Sequence, residues 1–323
     1  MGRGLPLRIL YAGTSDFAVP ALQALARAGS PPLAVLTRPA RRAGRGHHKQ
    51  ASPVEIAAGE LGLPVLDPPR VNAAEVLVRL QEFQPDLLVV ASYGQILKSP
   101  LLSLPALGCV NLHASLLPAW RGAAPVAHAL LAGDAVTGVT LMQMDEGLDT
   151  GPMLAARSTP VVETDDRGQL TARLAGLAAE ILLENLDALS SGRLPPQTQD
   201  PAMATLAPRL NKADGRLDWR RPAPEIARRV RAFSPRPGAF TFIGGRRLLV
   251  RQVALATAKP PQGPPGTLAA PEGPAGVPVR CGEGTALLLV KVQPEGRATM
   301  EAVAAMRGRQ MSPGDVLQAD PPD

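Results

Sequence analysis

Continuous apolar runs alternate with amphipathic stretches in the first part of the chain. Runs at residues 7–12, 33–37 and 86–91 carry mostly apolar side chains, which is typical of strands buried in a parallel sheet. The stretches at residues 17–29 and 73–83 space their apolar residues as helices do. A strand, a helix and a second strand in this order form a parallel unit, so the pattern predicts an α/β fold with a Rossmann-like parallel sheet.

Short strands separated by Gly and Pro dominate the last third of the chain. Strand-like runs there cover residues 239–243, 246–256, 266–270, 277–281 and 286–293, and helical stretches cover 224–233 and 300–307. The Gly244-Gly245 pair predicts a hairpin turn between the first two strands. Strands of this number and length indicate a small β-barrel of the OB type.

A polar, Pro-rich stretch without periodicity separates these two parts. Residues 190–208 read SSGRLPPQTQDPAMATLAP, a composition typical of a linker. We therefore expect an α/β domain at residues 1–192, a linker at residues 193–208 and an OB-like domain at residues 209–323.

Polar residues stand where helix caps are expected in the first domain. Ser52 precedes a helix predicted at residues 53–60, and Asn72 precedes the next predicted helix. Ser15 or Asp16 stands before the first one. Side-chain oxygens at such positions accept hydrogen bonds from the first backbone N–H groups, so we expect these residues to cap the three helices.

Candidate chemistry begins where an apolar run ends at Val110. Asn111 and His113 follow with one residue between them, so both side chains should point to one face of a strand end. A separate acidic stretch, MDEGLDTG, supplies Asp149. Together an amide, an imidazole and a carboxylate can polarise a carbonyl, move a proton and orient the imidazole. Asn111 and His113 alone are a weak signal, since either could be a satisfied polar residue near a strand end.

Positive charge concentrates in one loop. The chain of 323 residues carries a net charge of +6, which favours a polyanionic partner without requiring one. Residues 37–50, TRPARRAGRGHHKQ, hold five basic residues and no acid. Such a loop, called the basic loop below, can contact phosphates, or it can be a solvated surface segment.

Other chemistries find no motif in this sequence. The four histidines do not cluster with acids or cysteines at metal-ligand spacing, and no Ser or Cys lies in a nucleophile elbow. Cys109 and Cys281 are far apart, so we expect two unpaired thiols, with Cys109 buried by packing. What remains fits direct acyl transfer without a covalent enzyme intermediate and without a metal.

Several separated motifs resemble one known family. Asn111, His113, the run Ser115-Leu116-Leu117-Pro118, the Arg121-Gly122 pair and Asp149 look like the signature of the formyltransferases that use 10-formyltetrahydrofolate. The opening YAGTSDFAVPAL and the loop RRAGRGHH agree as well, so the resemblance covers nearly the whole chain. Within that family it is nearest to the members that act on methionyl-tRNA.

The resemblance implies a role for each group of residues. Asn111, His113 and Asp149 would be catalytic. The remaining assignments are folate contacts by Ser115, Leu116, Leu117 and Pro118, and tRNA contacts by Arg45, Arg41 and Lys212. The turn at residues 92–97 would also border the folate pocket.

The implied reaction is transfer of a formyl group from 10-formyltetrahydrofolate to the α-amino group of methionyl initiator tRNA, for translation initiation. The first domain would catalyse it, and the second would bind the tRNA. We expect a cytoplasmic monomer that does not bind membranes. A formyltetrahydrofolate hydrolase, a formyltransferase for a small amine and a non-enzymatic tRNA-binding protein are the alternatives.

Overall fold

Seven strands form one sheet in the computed structural model, which describes residues 7–43, 48–257 and 259–321. The strands of the described residues are β1 (Ile9–Gly13), β2 (Ala34–Leu36), β3 (Arg41–Ala43), β4 (His48–Gln50), β5 (Val65–Leu66), β6 (Leu87–Ala91), β7 (Cys109–His113), β8 (Val136–Gln143), β9 (Met153–Pro160), β10 (Ala239–Ile243), β11 (Arg246–Leu255), β12 (Val277–Arg280), β13 (Ala286–Pro294) and β14 (Met300–Glu301). The helices are α1 (Val19–Arg27), α2 (Pro53–Glu60), α3 (Ala74–Glu82), α4 (Ser99–Leu102), α5 (Pro125–Ala132), α6 (Arg167–Ser190), α7 (Ala223–Phe233) and α8 (Ala302–Arg307).

The seven-stranded sheet is mixed, with the order β5-β2-β1-β6-β7-β8-β9. The first five strands in this order pair in parallel, as predicted. The predicted α/β fold with a parallel-dominated sheet is confirmed, and at one edge of the sheet β8 and β9 run antiparallel to their neighbours. The segment between β8 and β9 is shorter than the dozen or so residues that a parallel crossover needs. β9 itself went unpredicted because most of its side chains are partly exposed and form no apolar run.

The parallel strands place their carboxyl ends at a reversal of strand order. From β1 the chain proceeds to β2 and β5 on one side, and then returns to β6 and β7 on the other side. Open α/β sheets bind ligands outside the carboxyl ends of the strands at such a point. A buried core that includes Leu10, Leu36, Leu88 and Leu101 lies on the strands and their connections and fixes this edge.

The predicted caps are confirmed at one helix of three. Ser52 accepts from the Glu55 backbone N–H, and Glu55 in turn accepts from the Ser52 N–H, so α2 begins with a capping box. Asn72 is not a cap. Its amide instead donates to the Ile96 carbonyl and accepts from the Lys98 N–H. Ser15 also makes no cap, because its hydroxyl bonds to the Ser92 hydroxyl and α1 follows a 3₁₀ turn.

An antiparallel sheet with the order β10-β11-β13-β12, to which β14 adds through β13, forms the C-terminal part. The Gly244-Gly245 hairpin is confirmed, since both glycines have positive φ and Ile243 pairs with Arg246. Residues 266–270 are not a strand, because their ladder contacts are limited to single bridges at Thr267 and Leu268. α8 begins later than predicted, after β14.

The chain divides into two compact units. The first unit comprises Met1–Pro125, Val136–Pro160 and Leu170–Pro208, and the second comprises Val126–Ala135, Val161–Gln169 and Arg209–Asp323. Residues 193–208 thus belong to the first unit, whereas their composition suggested a free linker. The division into domains at residues 192 and 209 stays a prediction. None of the helices in the described residues is both long and apolar enough to cross a bilayer.

Both cysteines are buried and unpaired, so their thiols should react slowly in the native protein. Cys109 and Cys281 are each 1% exposed, and burial raises the pKa of each thiol to about 12. The reactive thiolate is therefore scarce at any pH well below that value. We expect an alkylating reagent at mildly alkaline pH to leave the native protein unmodified and to add two groups after denaturation, as read by intact mass. Rapid labelling of the native protein would contradict this.

Candidate active site

Strand β7 carries two polar side chains into the sheet interior. β7 pairs in parallel with β6 and antiparallel with β8, and all five of its residues are buried. Asn111 and His113 are 9% and 5% exposed. Buried amide and imidazole groups need hydrogen-bond partners, so the surroundings of these two residues decide what they can do.

The segment between β8 and β9, residues 144–152, brings a carboxylate to both of them. We call this segment the acid loop. Asn111 Nδ2 donates to Asp149 Oδ1 at 3.4 Å, and His113 Nδ1 lies 3.7 Å from Asp149 Oδ2. The Gly122 backbone N–H donates to the same Oδ2 at 2.8 Å. The three side chains predicted from separate motifs therefore meet at one place in the first unit.

The acid loop must turn back sharply to reach this position. β8 runs antiparallel to β7, and Gln143 at its end pairs with Val110 near the start of β7. Asp149 has a φ of 53°, in the left-handed region that costs a non-glycine residue on the order of 1 kcal/mol or more. A Cβ on Gly151 would stand 2.0 Å from the Gln143 carbonyl oxygen, so only glycine fits at that position.

The ring of His113 is held by a backbone carbonyl. Its Nε2 lies 3.0 Å from the Trp120 carbonyl oxygen, which can only accept a hydrogen bond. We therefore assign the proton to Nε2, which leaves Nδ1 to face Asp149. Both ring nitrogens thus have protein neighbours, so His113 would have to release Trp120 before Nε2 could donate to a ligand.

The loop after β7, residues 114–124, holds the four residues predicted to contact folate. Ser115 is fully buried, and its hydroxyl donates to the Ala119 carbonyl at 2.6 Å. The Thr140 hydroxyl donates to the Ser115 carbonyl and accepts from the Leu117 N–H. A Cβ on Gly138 would stand 2.6 Å from Leu116 Cδ2, and Pro118 follows a cis peptide bond. The side chain of Ser115 is thus bonded within the loop, while Leu116 and Pro118 are partly exposed.

Residues in the supposed linker complete the surroundings of Asp149. Gln199 is 3% exposed, accepts from the Arg121 guanidinium and donates to the carbonyls of Asp149 and Gly151. The Thr205 hydroxyl accepts from the Trp120 N–H at 2.9 Å. Sequence reasoning missed both residues. The available signal was length, because unstructured connections beyond about 12–15 residues are uncommon and often functional.

The turn after β6 is held by hydrogen bonds to neighbouring segments. Ser92 and Gly94 have positive φ, and the Tyr93 carbonyl accepts from the Thr14 hydroxyl at 2.7 Å. The Gln95 side chain accepts from the Val71 N–H and donates to the Pro68 carbonyl, each at 2.9 Å. Ile96 beside it is 79% exposed. The turn thus presents an apolar side chain from a fixed backbone at the carboxyl end of β6.

The residues predicted to contact tRNA fall in two places. Arg45 lies outside the described residues. Arg41 lies in β3, which pairs with β4 as a short hairpin within the basic loop, and its backbone alone is described. Lys212 is exposed in the second unit, at the start of the 3₁₀ turn Ala213–Gly215.

Several arginines of the second unit have structural partners. Arg231 donates to the carbonyls of Val162 and Asp165, and Arg251 donates to the Pro235 carbonyl and the Gln293 side chain. Burial lowers the pKa of both guanidinium groups. These charges therefore hold the unit together, and its phosphate-binding capacity is smaller than a count of arginines indicates.

The acidic, histidine and cysteine side chains of the described part of the chain are dispersed, which bears on metal binding. Across residues 7–43, 48–257 and 259–321, no group of three or more His, Cys, Asp or Glu side chains could hold an ion. The carboxylate of Asp149 faces an amide, an imidazole and a backbone N–H. This set can donate to an oxygen and accept a proton.

Two family descriptions match the chain. The family described as "Formyl transferase" matches residues 7–186, and "Formyl transferase, C-terminal domain" matches residues 209–310. The first match contains Asn111, His113 and Asp149. Gln199 lies between the two matched ranges.

Curated relatives match over nearly the full length. A protein of Methylococcus capsulatus named methionyl-tRNA formyltransferase is 47% identical over 296 residues, covering 92% of this chain and 95% of that protein. The protein of the same name from Thiobacillus denitrificans is 45% identical over 313 residues, covering 97% of this chain and 100% of its own.

Solved structures agree in fold. HypX from Aquifex aeolicus, in complex with tetrahydrofolic acid, has a TM-score of 0.64 at 17% identity and covers 94% of this chain and 47% of its own. WlaRD, a sugar 3N-formyl transferase, has a TM-score of 0.65 at 17% identity and covers 91% of this chain and 100% of its own. At these identities the likeness concerns the fold alone. From the family matches and the full-length relatives, the chain belongs to the methionyl-tRNA formyltransferase family.

Proposed function

We propose that this protein transfers the formyl group of 10-formyltetrahydrofolate to the α-amino group of methionyl initiator tRNA. The main support for this function is that Asn111, His113 and Asp149 lie together. Asp149 Oδ1 is 3.4 Å from Asn111 Nδ2, and Asp149 Oδ2 is 3.7 Å from His113 Nδ1. Relatives named methionyl-tRNA formyltransferase align across both halves of the chain, which supports the same substrates.

The residues at the site fit a formyl donor. When bound, 10-formyltetrahydrofolate supplies the formyl group, and the folate nitrogen that carries this group is the leaving group. Asn111 Nδ2 carries two N–H groups and makes one hydrogen bond among the described residues, to Asp149. The second N–H is available to the formyl oxygen, where negative charge develops as the amine attacks. We assign this role to Asn111 first, since Nε2 of His113 is bonded to Trp120.

The carboxylate of Asp149 is the first acceptor that we assign to the amine proton. Each carboxylate oxygen can accept two hydrogen bonds, and from the part of the chain that the structure describes each accepts one, from Asn111 and from Gly122. The Asp149 side chain is 16% exposed and that of His113 is 6% exposed, so the carboxylate is the more reachable base. His113 Nδ1 beside it can share the proton. The pair then returns this proton to the folate nitrogen as the bond between that nitrogen and the formyl carbon breaks.

The three side chains should each be needed for turnover. We expect Asn111→Ala, His113→Ala and Asp149→Ala to lower kcat on the order of a hundredfold to a thousandfold, because each removes a donor or acceptor at the reacting atoms. The measurement is steady-state formylation of methionyl-tRNA, with folding checked by circular dichroism.

Asn185→Ala is a matched control for the asparagine variant. Among the described residues, the Asn185 amide donates to the Ile181 carbonyl within α6, so this substitution should leave kcat unchanged. If a variant of Asn111, His113 or Asp149 folds well and turns over normally, the role assigned to that residue is wrong.

The tRNA contacts are proposals drawn from charge and from the family resemblance. We assign Arg45 and Arg41 of the basic loop, together with Lys212 of the second unit, to phosphate contacts. Lys212 is exposed, as a phosphate-binding side chain must be. Phosphate contacts position a nucleic acid without reading its sequence.

Lys212→Ala should weaken tRNA binding and reduce its salt dependence. Loss of one phosphate contact lowers the slope of log K against log salt by roughly one unit, and folate binding should not change. Lys291→Ala is the control, because Lys291 is also exposed in the second unit and lies 4.0 Å from Glu301. Titration of both variants at several salt concentrations makes the comparison. Equal slopes in the two variants would exclude a Lys212 contact.

The finer structural assignments are proposals as well. We propose that Ser115, Leu116, Leu117 and Pro118 shape the folate cleft, chiefly through the backbone of their loop. We also propose that the C-terminal antiparallel sheet closes as an OB-like barrel and that the protein is a cytoplasmic monomer. The support for the barrel is the five-strand antiparallel arrangement with a covering helix, α7.

The choice of acceptor separates this function from its alternatives. With 10-formyltetrahydrofolate as donor, we expect rapid formyl transfer to methionyl initiator tRNA, and slow transfer to a small primary amine or to water. Release of tetrahydrofolate and formation of formyl-methionyl-tRNA are measured in parallel. Donor turnover without tRNA would favour a hydrolase. Tight tRNA binding without turnover would favour a non-enzymatic binding protein.

A further inference from the structure

The side chain of Gln199 makes four hydrogen bonds within the first unit. Its Oε1 accepts from Arg121 Nε at 3.0 Å and from Arg121 Nη2 at 2.8 Å. Its Nε2 donates to the Asp149 carbonyl at 2.8 Å and to the Gly151 carbonyl at 2.7 Å. A carboxamide has two acceptor sites and two donors, so its whole hydrogen-bonding capacity is used.

These partners determine the orientation of the amide. A guanidinium can only donate, and a backbone carbonyl can only accept. Rotating the amide by half a turn would set N–H groups against Arg121 and an oxygen against two carbonyl oxygens. The group is 3% exposed, so water could not relieve that arrangement. The Gln199 side chain therefore connects Arg121 to the acid loop by hydrogen bonds in a single orientation.

Asp149 needs such a link because its backbone is strained and its neighbours face solvent. Residues 145–148 and Thr150 are exposed, and Asp149 has a φ of 53°. The loop's own bonds, from Gly147 and Thr150 to Asp145, do not involve Asp149. Gly122 holds its carboxylate, and Gln199 holds its carbonyl.

We propose that Gln199 is a positioning residue that holds Asp149 in its reactive place through the two backbone carbonyls of the acid loop. This inference rests on the proposed formyl transfer. Gln199 touches no reacting atom in this assignment. Its effect on the rate passes through Asp149, since displacement of a catalytic group by about 1 Å can lower a rate about a hundredfold.

Two substitutions distinguish the hydrogen bonds that Gln199 accepts from Arg121 from those that it donates to the acid loop. Gln199→Glu keeps an acceptor for Arg121 and loses both donations to the loop, whereas Gln199→Met keeps the size and loses all four bonds. We expect both to lower kcat by about a hundredfold, with KM for methionyl-tRNA changed less than about threefold. If Gln199→Met fails to fold, Gln199→Glu still decides the matter. Wild-type kcat in folded Gln199→Glu would overturn the proposal.

A double-mutant cycle with Asp149 tests the route of the effect. In the Asp149→Ala background, Gln199→Glu should lower kcat by less than about twofold more, because the group that it positions is already gone. If Gln199→Glu acts through a general structural defect, its effect on kcat would multiply with that of Asp149→Ala. A further drop of about a hundredfold in kcat would therefore overturn the proposal.

Hydrogen exchange of the acid loop supplies a readout that does not depend on activity. Amides of residues 144–151 should exchange faster in Gln199→Glu than in the wild type. Gln197→Met is the matched control, because Gln197 is exposed and pairs with Met153 through its backbone. Unchanged exchange in Gln199→Glu would contradict the positioning role. A wild type that cannot formylate methionyl-tRNA would instead refute the proposed function, and the exchange result would still stand for the loop.

Discussion

The placement of one carboxylate, that of Asp149, depends on three other parts of the first unit. Asn111 and His113 approach it from β7, the Gly122 N–H binds it from the following loop, and Gln199 holds its carbonyl. The mixed edge of the sheet makes this necessary. Because β8 runs antiparallel to β7, the chain leaves β8 beside the beginning of β7 and must return over it. A strained backbone at Asp149 follows, and the hydrogen bonds around it compensate for that strain.

Local chemistry made much of this fold predictable. Apolar runs identified β1, β2 and β6, the Ser52 capping box started α2, and the paired glycines formed the β10–β11 hairpin. Each of these depends on residues close together in sequence. Predictions failed where a distant partner decided the outcome. Asn72 has helix-cap chemistry, yet its amide binds the backbone at Ile96 and Lys98, which no local pattern shows.

The candidate site divides in the same way. Asn111 and His113 follow from strand alternation and from the motif, and Asp149 from the motif, which marks three residues but not what holds them. Gln199 lies in a stretch that looks unstructured in the sequence. This stretch is ordered by distant partners, since Gln197 pairs with Met153 and Gln199 binds Arg121 and the acid loop. Positive charge in the sequence likewise does not show its partners. Arg231 and Arg251 are both partly buried and donate to backbone carbonyls.

The segment from Gln197 to Ala207 also limits how the chain can vary in length. It is tied to the first unit at Gln197, Gln199 and Thr205, and a 3₁₀ turn capped by Asp200 takes up the residues between the last two ties. Insertions usually cost little in a surface connection. Here an added residue between Gln199 and Thr205 would shift one tie against the other, whereas residues 194–196 carry no such constraint. The chain can therefore lengthen before this segment but not within it.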